Sequence, residues 1–164
     1  MPARAKNIAV VGIGNSLLTD DGAGIHTLTR FAEDNTIENV VCLDGGTVGL
    51  ALLDRLENLD GLVALDAMIL GLSPGAVTVL EGEDMDAHLR QQHGSVHEVG
   101  LSDLMDAMRL RGELPEKRAL IGIEPANIDW GTKPTASVTA ALPKVATRVH
   151  KLLREWRAST EQRQ

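Results

Sequence analysis

The stretch Gly12-Ile13-Gly14-Asn15-Ser16-Leu17-Leu18-Thr19-Asp20-Asp21-Gly22-Ala23-Gly24 constrains this chain most. It follows an apolar run, Ile8 to Val11, whose lack of polar alternation reads as a buried strand. It precedes Ile25, Leu28, Phe31 and Ala32, which share one face at helical spacing. The order is strand, glycine-permitted loop, helix. In an open α/β sheet such a loop lies at the carboxyl end of a strand, the edge where ligands bind. Two adjacent acids stand where the helix begins. Asp20 is expected as the N-cap of that helix. Asp21 is either a first-turn acid that complements the helix dipole or a functional group at the ligand edge.

Further apolar runs predict four more strands. Residues 38–43 form the second, followed by Asp44-Gly45-Gly46-Thr47. Residues 61–65 form the third and deliver Asp66 at its carboxyl end. A turn at Ser73-Pro74-Gly75 introduces the fourth, residues 76–80, and residues 117–123 supply the fifth. The link between the third and fourth strands is too short for a helical crossover, so the fourth strand is the candidate for an antiparallel edge. Leucines 50, 52, 53 and 56 suggest a short helix. Residues 81–94 are acidic, then rich in His and Gln, and read as a long loop with at most one helical turn. Ser95 and Glu98 match a capping box, opening a helix that carries Leu101, Leu104, Met105 and Met108 and stops at Gly112. A last helix, about 135–156, contains Pro143, which should bend or break it. The expected architecture is a three-layer α/β domain: a mostly parallel sheet with helices on both faces. It spans residues 1–164 as one domain, with disordered ends at 1–6 and 160–164.

Composition narrows the function. Sixteen basic against twenty-three acidic residues give a net charge of −7, which disfavours a nucleic-acid partner. No run approaches the roughly 20 apolar residues of a membrane span, and the N-terminus lacks a signal-peptide pattern. A single cysteine, Cys42, excludes a disulfide framework and sits in an apolar run as a core thiol. A cytoplasmic, monomeric protein is expected.

Chemistry-bearing residues converge on one sheet edge. Asp20 and Asp21 follow the first strand, Asp66 ends the third, and His97 stands in the first turn of a helix. An Asp, Asp, His set drawn from these residues is a mixed oxygen and nitrogen site suited to nickel or zinc. The bland readings stay beside it: Asp66 as the cap of a turn at Ala67, and His97 as a solvent-facing residue with His88 and His93 as rival ligands. His26 and His150 lie within helices and read as structural. The loop is not G-x-G-x-x-G, because Leu17 takes the third glycine position, and no P-loop Lys or G-x-S-x-G elbow occurs.

The chain resembles the nickel–iron hydrogenase maturation endopeptidases. The resemblance covers about residues 8–149 and rests on several motifs in order. These are Gly12-Ile13-Gly14-Asn15 with Asp20-Asp21-Gly22-Ala23-Gly24, Asp44-Gly45-Gly46-Thr47, Leu65-Asp66-Ala67, Pro74-Gly75, His97-Glu98-Val99-Gly100-Leu101 and Gly122-Ile123-Glu124-Pro125. It implies a twisted five-stranded sheet and a nickel site on Asp21, Asp66 and His97. It further implies a single nickel-dependent cut that removes the C-terminal extension of a hydrogenase large-subunit precursor, with the nickel presented by that precursor. Asp44, Gly45, Gly46 and Thr47 would border the substrate cleft. Lys133-Pro134 and His93 depart from the family pattern. For catalysis, Asp21 and Asp66 both remain general-base candidates for an attacking water. No Ser or Cys nucleophile has a base at hand. Two rival readings share parts of this pattern: a nickel-sensing chaperone that does not cut, and a peptidyl-tRNA-hydrolase-like esterase, which the acidic charge disfavours.

Overall fold

Each apolar run becomes a strand of a single sheet in the computed structural model, which describes residues 7–47, 50–91 and 96–161. The strands are β1 (Ile8–Ile13), β2 (Val40–Gly46), β3 (Gly61–Ala67), β4 (Val77–Glu81) and β5 (Lys117–Ile123), in the order β2-β1-β3-β5-β4. β1 runs parallel to both neighbours, with Ile8 opposite Val40 on one side and Gly61 on the other. β3 and β5 are parallel, and β4 pairs antiparallel to β5 at the edge, as the short link from β3 requires.

Helices cover both faces. α1 (Ala23–Asp34) and α4 (Ala136–Glu161) bury Phe31, Val149 and Leu153 against one face. α2 (Glu83–Gln91), α3 (Val96–Leu110) and a 3₁₀ turn at Leu50–Arg55 bury Leu52, Met85 and Met108 against the other. These fully buried aliphatic and aromatic side chains supply most of the driving force, at about 25 cal/mol per Å² of apolar surface removed from water. Cys42 packs half-buried at the margin of the first core, and burial pushes its thiol pKa up, which keeps it unreactive. His150 stacks on Phe31 with ring centroids 4.5 Å apart.

Three expectations need correction. Residues 83–91 are a helix, α2, not a loop. Its acids Glu83, Asp84 and Asp86 suit a helix start and Met85 and Leu89, four apart, enter the core. Asp86 is itself buried, because Arg118 grips it with two hydrogen bonds: Nε to Oδ1 at 2.9 Å and Nη2 to Oδ2 at 2.7 Å. That fork lowers the Asp86 pKa more than burial raises it. Second, α4 passes through Pro143 without a break and continues to Glu161, beyond the expected end at 156 and into the tail expected to be disordered from 160. Pro143 and Thr139 are on the exposed side, so water can reach the Thr139 carbonyl that proline leaves without a helical partner. Third, Asp20 is not the cap of α1, as described below. The expectations for residues 1–6 and 162–164, for His93 and for the Ser95 cap lie outside the described residues.

Candidate active site at the carboxyl edge of the sheet

Glycine at two positions, one in the loop and one at the start of α1, lets backbones meet where any side chain would collide. Gly14 has φ +134°, and a Cβ there would lie 2.1 Å from the Asp21 carbonyl oxygen. A Cβ on Gly24 would lie 2.1 Å from the Leu65 carbonyl oxygen and 2.3 Å from that of Ile13. The loop therefore folds back on itself, and α1 starts directly against the ends of β1 and β3. The Gly14 N–H donates to the Gly46 carbonyl at 2.8 Å, which ties the same loop to the end of β2. A 3₁₀ turn, Thr19–Gly22, carries the two acids.

Asp21 and His97 are brought together. Nε2 of His97 lies 3.0 Å from Oδ2 of Asp21, and that oxygen also accepts the Asn15 N–H at 3.0 Å. The side chains are 12% and 16% exposed, so the pair is largely shielded yet reachable. His97 is thus not a solvent-facing residue. Its Nδ1 is buried and has no hydrogen-bond partner among the described residues. Asp66 ends β3, the strand beside β1, on the same edge and is 2% exposed. Its Oδ1 accepts the Ala67 N–H at 2.8 Å, the turn-capping role expected of it, and one that coexists with a place at the site. Asp44 holds the Gly46 N–H at 2.9 Å, which shapes the end of β2 where Gly46 has φ +50°. His88 lies in the last turn of α2.

Asp20 does a different job from the one expected. α1 has Gly22 at its N-cap position, with no side-chain cap, while Asp20 is fully buried in the preceding turn. Its Oδ2 accepts the N–H groups of Ala126 at 2.8 Å and Asn127 at 3.1 Å and the Thr135 hydroxyl at 2.8 Å. Its Oδ1 accepts the Thr135 N–H at 2.7 Å. Burial alone would raise its pKa, but these four hydrogen bonds outweigh it and hold the carboxyl below its ordinary value. Thr19 adds a hydroxyl hydrogen bond to the Asp129 carbonyl, and Leu17 accepts the Gly131 N–H at 2.9 Å. The loop that carries Asp21 is thereby strapped to the segment between β5 and α4.

Sequence reasoning gave no role to Glu124, which is buried at the end of β5. Its carboxylate accepts the N–H groups of Leu70 at 2.8 Å and Gly71 at 3.2 Å, fixing the loop that follows Asp66. An acid closing a strand just before proline was the available signal. Glu124 anchors the loop that follows Asp66, and Asp20 anchors the loop that carries Asp21.

Two carboxylates and an imidazole are the donor types that nickel or zinc accepts. Among the described residues, no three His, Cys, Asp or Glu side chains are disposed to hold a metal ion as they stand. As arranged, the pair can accept a proton from water at Asp21 and hold or pass one through His97.

A mostly parallel sheet with an acid and a histidine paired at its carboxyl edge defines an α/β protein with a candidate site at that edge. The family model for hydrogenase maturation protease matches residues 25–152, which include Asp66 and His97 and begin just after Asp21. The hydrogenase expression/formation protein HupD of Rhizobium leguminosarum bv. viciae is 34% identical over 157 residues, covering 94% of this chain and 78% of that protein. The hydrogenase 2 maturation protease of Escherichia coli (strain K12) is 34% identical over 150 residues, covering 90% and 91%. The structure of the hydrogenase maturating endopeptidase HybD from E. coli superposes with a TM-score of 0.84 at 32% identity, covering 91% and 93%. The chain belongs to the hydrogenase maturation protease family and is a peptidase. The esterase and the non-cutting chaperone give way to that assignment.

Proposed function

We propose that this peptidase makes one nickel-dependent cut, removing the C-terminal extension of a nickel–iron hydrogenase large-subunit precursor. The observation that carries the reading is the Asp21–His97 pair, 3.0 Å apart at the sheet edge that Asp66 also reaches. Nickel is part of the substrate here. It arrives in the precursor, and Asp21, Asp66 and His97 supply the remaining ligands. Binding is then strong only when the precursor is loaded, so specificity comes from the difference between loaded and empty forms.

Cleavage needs a water to attack the scissile carbonyl. Asp21 or Asp66 takes its proton, and His97 beside Asp21 is placed to return one to the leaving amine. The substrate nickel polarises the carbonyl when it lies near enough. A protein substrate also suits the surroundings. Leu17 and Ile128 are about half exposed and Trp130 is 81% exposed, all on the loops strapped together beside Asp21. Such apolar exposure marks surfaces that meet other proteins. Among the described residues no helix is long and apolar enough to cross a membrane. We take the protein to act as a cytoplasmic monomer, without nucleic-acid or membrane partners. Incubating the purified protein with loaded precursor and weighing the product by mass spectrometry tests the reading: one shortened large subunit is expected, and an unchanged precursor contradicts it.

A further inference from the structure

The loop that leaves Asp66 carries apolar side chains of two kinds. Met68 is buried, and Leu70 packs partly buried against the core beneath α2 and α3. Ile69 and Leu72 turn outward, 65% and 49% exposed, and Val77, where β4 opens, is 37% exposed. No charged residue stands from Ala67 to Val77, in a chain of which 24% is charged. Apolar residues exposed singly are ordinary, whereas a run of them without charge marks a surface that meets a partner. The loop is also held in one shape. The Met68 N–H donates to the Ile123 carbonyl at 2.9 Å, and the Gly75 N–H to the Glu124 carbonyl at 2.8 Å. With the Glu124 carboxylate on Leu70 and Gly71, its middle and both ends hang on one short stretch of chain. Gly75, with φ +85°, lies so close to α4 that a Cβ would sit 2.6 Å from the Ser137 carbonyl oxygen. A surface fixed in advance loses little conformational freedom when a partner covers it.

We infer that this loop is a docking surface for the folded body of the precursor, apart from the residues that handle the bond to be cut. The inference rests on the proposed peptidase reading and deepens it. The loop starts directly after Asp66, so a protein seated on it lies at the sheet edge that holds the Asp21–His97 pair. The segment with exposed Ile128 and Trp130 sets out from the same Glu124 and reaches the loop that carries Asp21, which extends the apolar surface toward the pair. Size selects the occupant. Three partly exposed side chains present at most a few hundred Å², far short of the roughly 800 Å² per partner that a stable interface buries. That is too little to hold a second copy of this chain. A substrate already engaged at the sheet edge needs only a supplementary contact, because its second contact forms within one complex. Such a contact is the same in the ground and transition states, so it lowers KM and leaves kcat alone.

The test measures kcat and KM on nickel-loaded precursor for wild type, the double variant Ile69→Ser/Leu72→Ser and a control, Leu110→Ser, whose leucine is 90% exposed at the end of α3. The double variant should raise KM at least tenfold with kcat within twofold, while the control changes neither. An unchanged KM in the double variant overturns the inference, as does an equal rise in the control. Methyl NMR of wild type gives a second reading that needs no variant to fold. The Ile69 and Leu72 signals should shift with loaded precursor and stay in place with a short peptide spanning the cut. Signals that ignore the precursor, or that move equally with the peptide, overturn it. Should wild type shift these signals with precursor yet cut nothing, the peptidase reading fails and the docking surface stands. Neither shifts nor cleavage would remove both. A wild-type dimer in sedimentation that the double variant abolishes would assign the patch to a second copy and overturn the inference.

Discussion

Asp20 and Asp21 are adjacent in the chain yet serve separate structures. Asp20 is buried and binds the segment between β5 and α4 through Ala126, Asn127 and Thr135, whereas Asp21 binds Asn15 and His97. One acid fixes the loop and the other pairs with His97 at the candidate site. The division follows from the tight turn Thr19–Gly22, which sends successive side chains to different neighbours. It predicts opposite signatures for substitutions at the two positions.

Asp21→Ala removes a group that, among the described residues, meets Asn15 and His97. Stability should fall by no more than about 1–2 kcal/mol, the scale of a lost hydrogen bond and its exposed partners. Activity should fall about 10²–10⁴-fold, the usual contribution of a general base. Thermal melting beside a cleavage assay checks both quantities.

Asp20→Ala should do the reverse in emphasis. It leaves the N–H groups of Ala126, Asn127 and Thr135 without their acceptor and should cost about 3 kcal/mol or more. The pH dependence has a definite sign. The folded pKa lies below the ordinary 3.8, so the stabilisation is complete above 3.8 and is lost as pH falls through the lower folded value. Acid unfolding of wild type and Asp20→Asn should therefore converge below that window, which urea melts at stepped pH would show.

Gly14→Ala tests the close approach in the opening loop. A methyl group would meet the Asp21 carbonyl at 2.1 Å, in a backbone conformation with φ +134° that alanine disfavours. The turn must shift and carry Asp21 from His97. Cleavage should drop at least tenfold even at temperatures where circular dichroism shows a folded chain, since small displacements of a catalytic group are costly.

The Asp86–Arg118 fork is remote from the chemistry and should matter only for stability. Arg118→Met strips the buried carboxylate of two hydrogen bonds and leaves it the longer ion pairs with Arg109 at 3.6 Å and Arg90 at 4.0 Å; it should cost about 3 kcal/mol, whereas the double change with Asp86→Leu should recover most of it. Specific activity below the melting temperature should match wild type in both, read from paired melts and cleavage rates.

The sheet was legible in the sequence because each strand is an unbroken apolar run, buried on both faces except at the edges. The antiparallel β4 followed from the length of one link. α2 escaped notice because its surface is charged and only Met85 and Leu89 mark its inner side, while Asp86 enters the core through a partner, Arg118, thirty-two residues on. The proposed site residues Asp21, Asp66 and His97 stood out by their positions at strand and helix ends, and the fold brings Asp21 and His97 together. The role of Asp20 did not, because helix capping is a local pattern and its true partners lie 106 to 115 residues away. Glu124 was hidden for the same reason, with its acceptor role set by a loop fifty-four residues earlier.

The central claim is that the Asp21 edge cuts a precursor that carries its own nickel. The most direct measurement compares cleavage of nickel-loaded and nickel-free precursor by wild type and Asp21→Ala under identical conditions. The account predicts one shortened product only from wild type with the loaded precursor, with the Asp21→Ala protein folded but inactive. Equal cleavage of loaded and empty precursor, or full activity in Asp21→Ala, would contradict it.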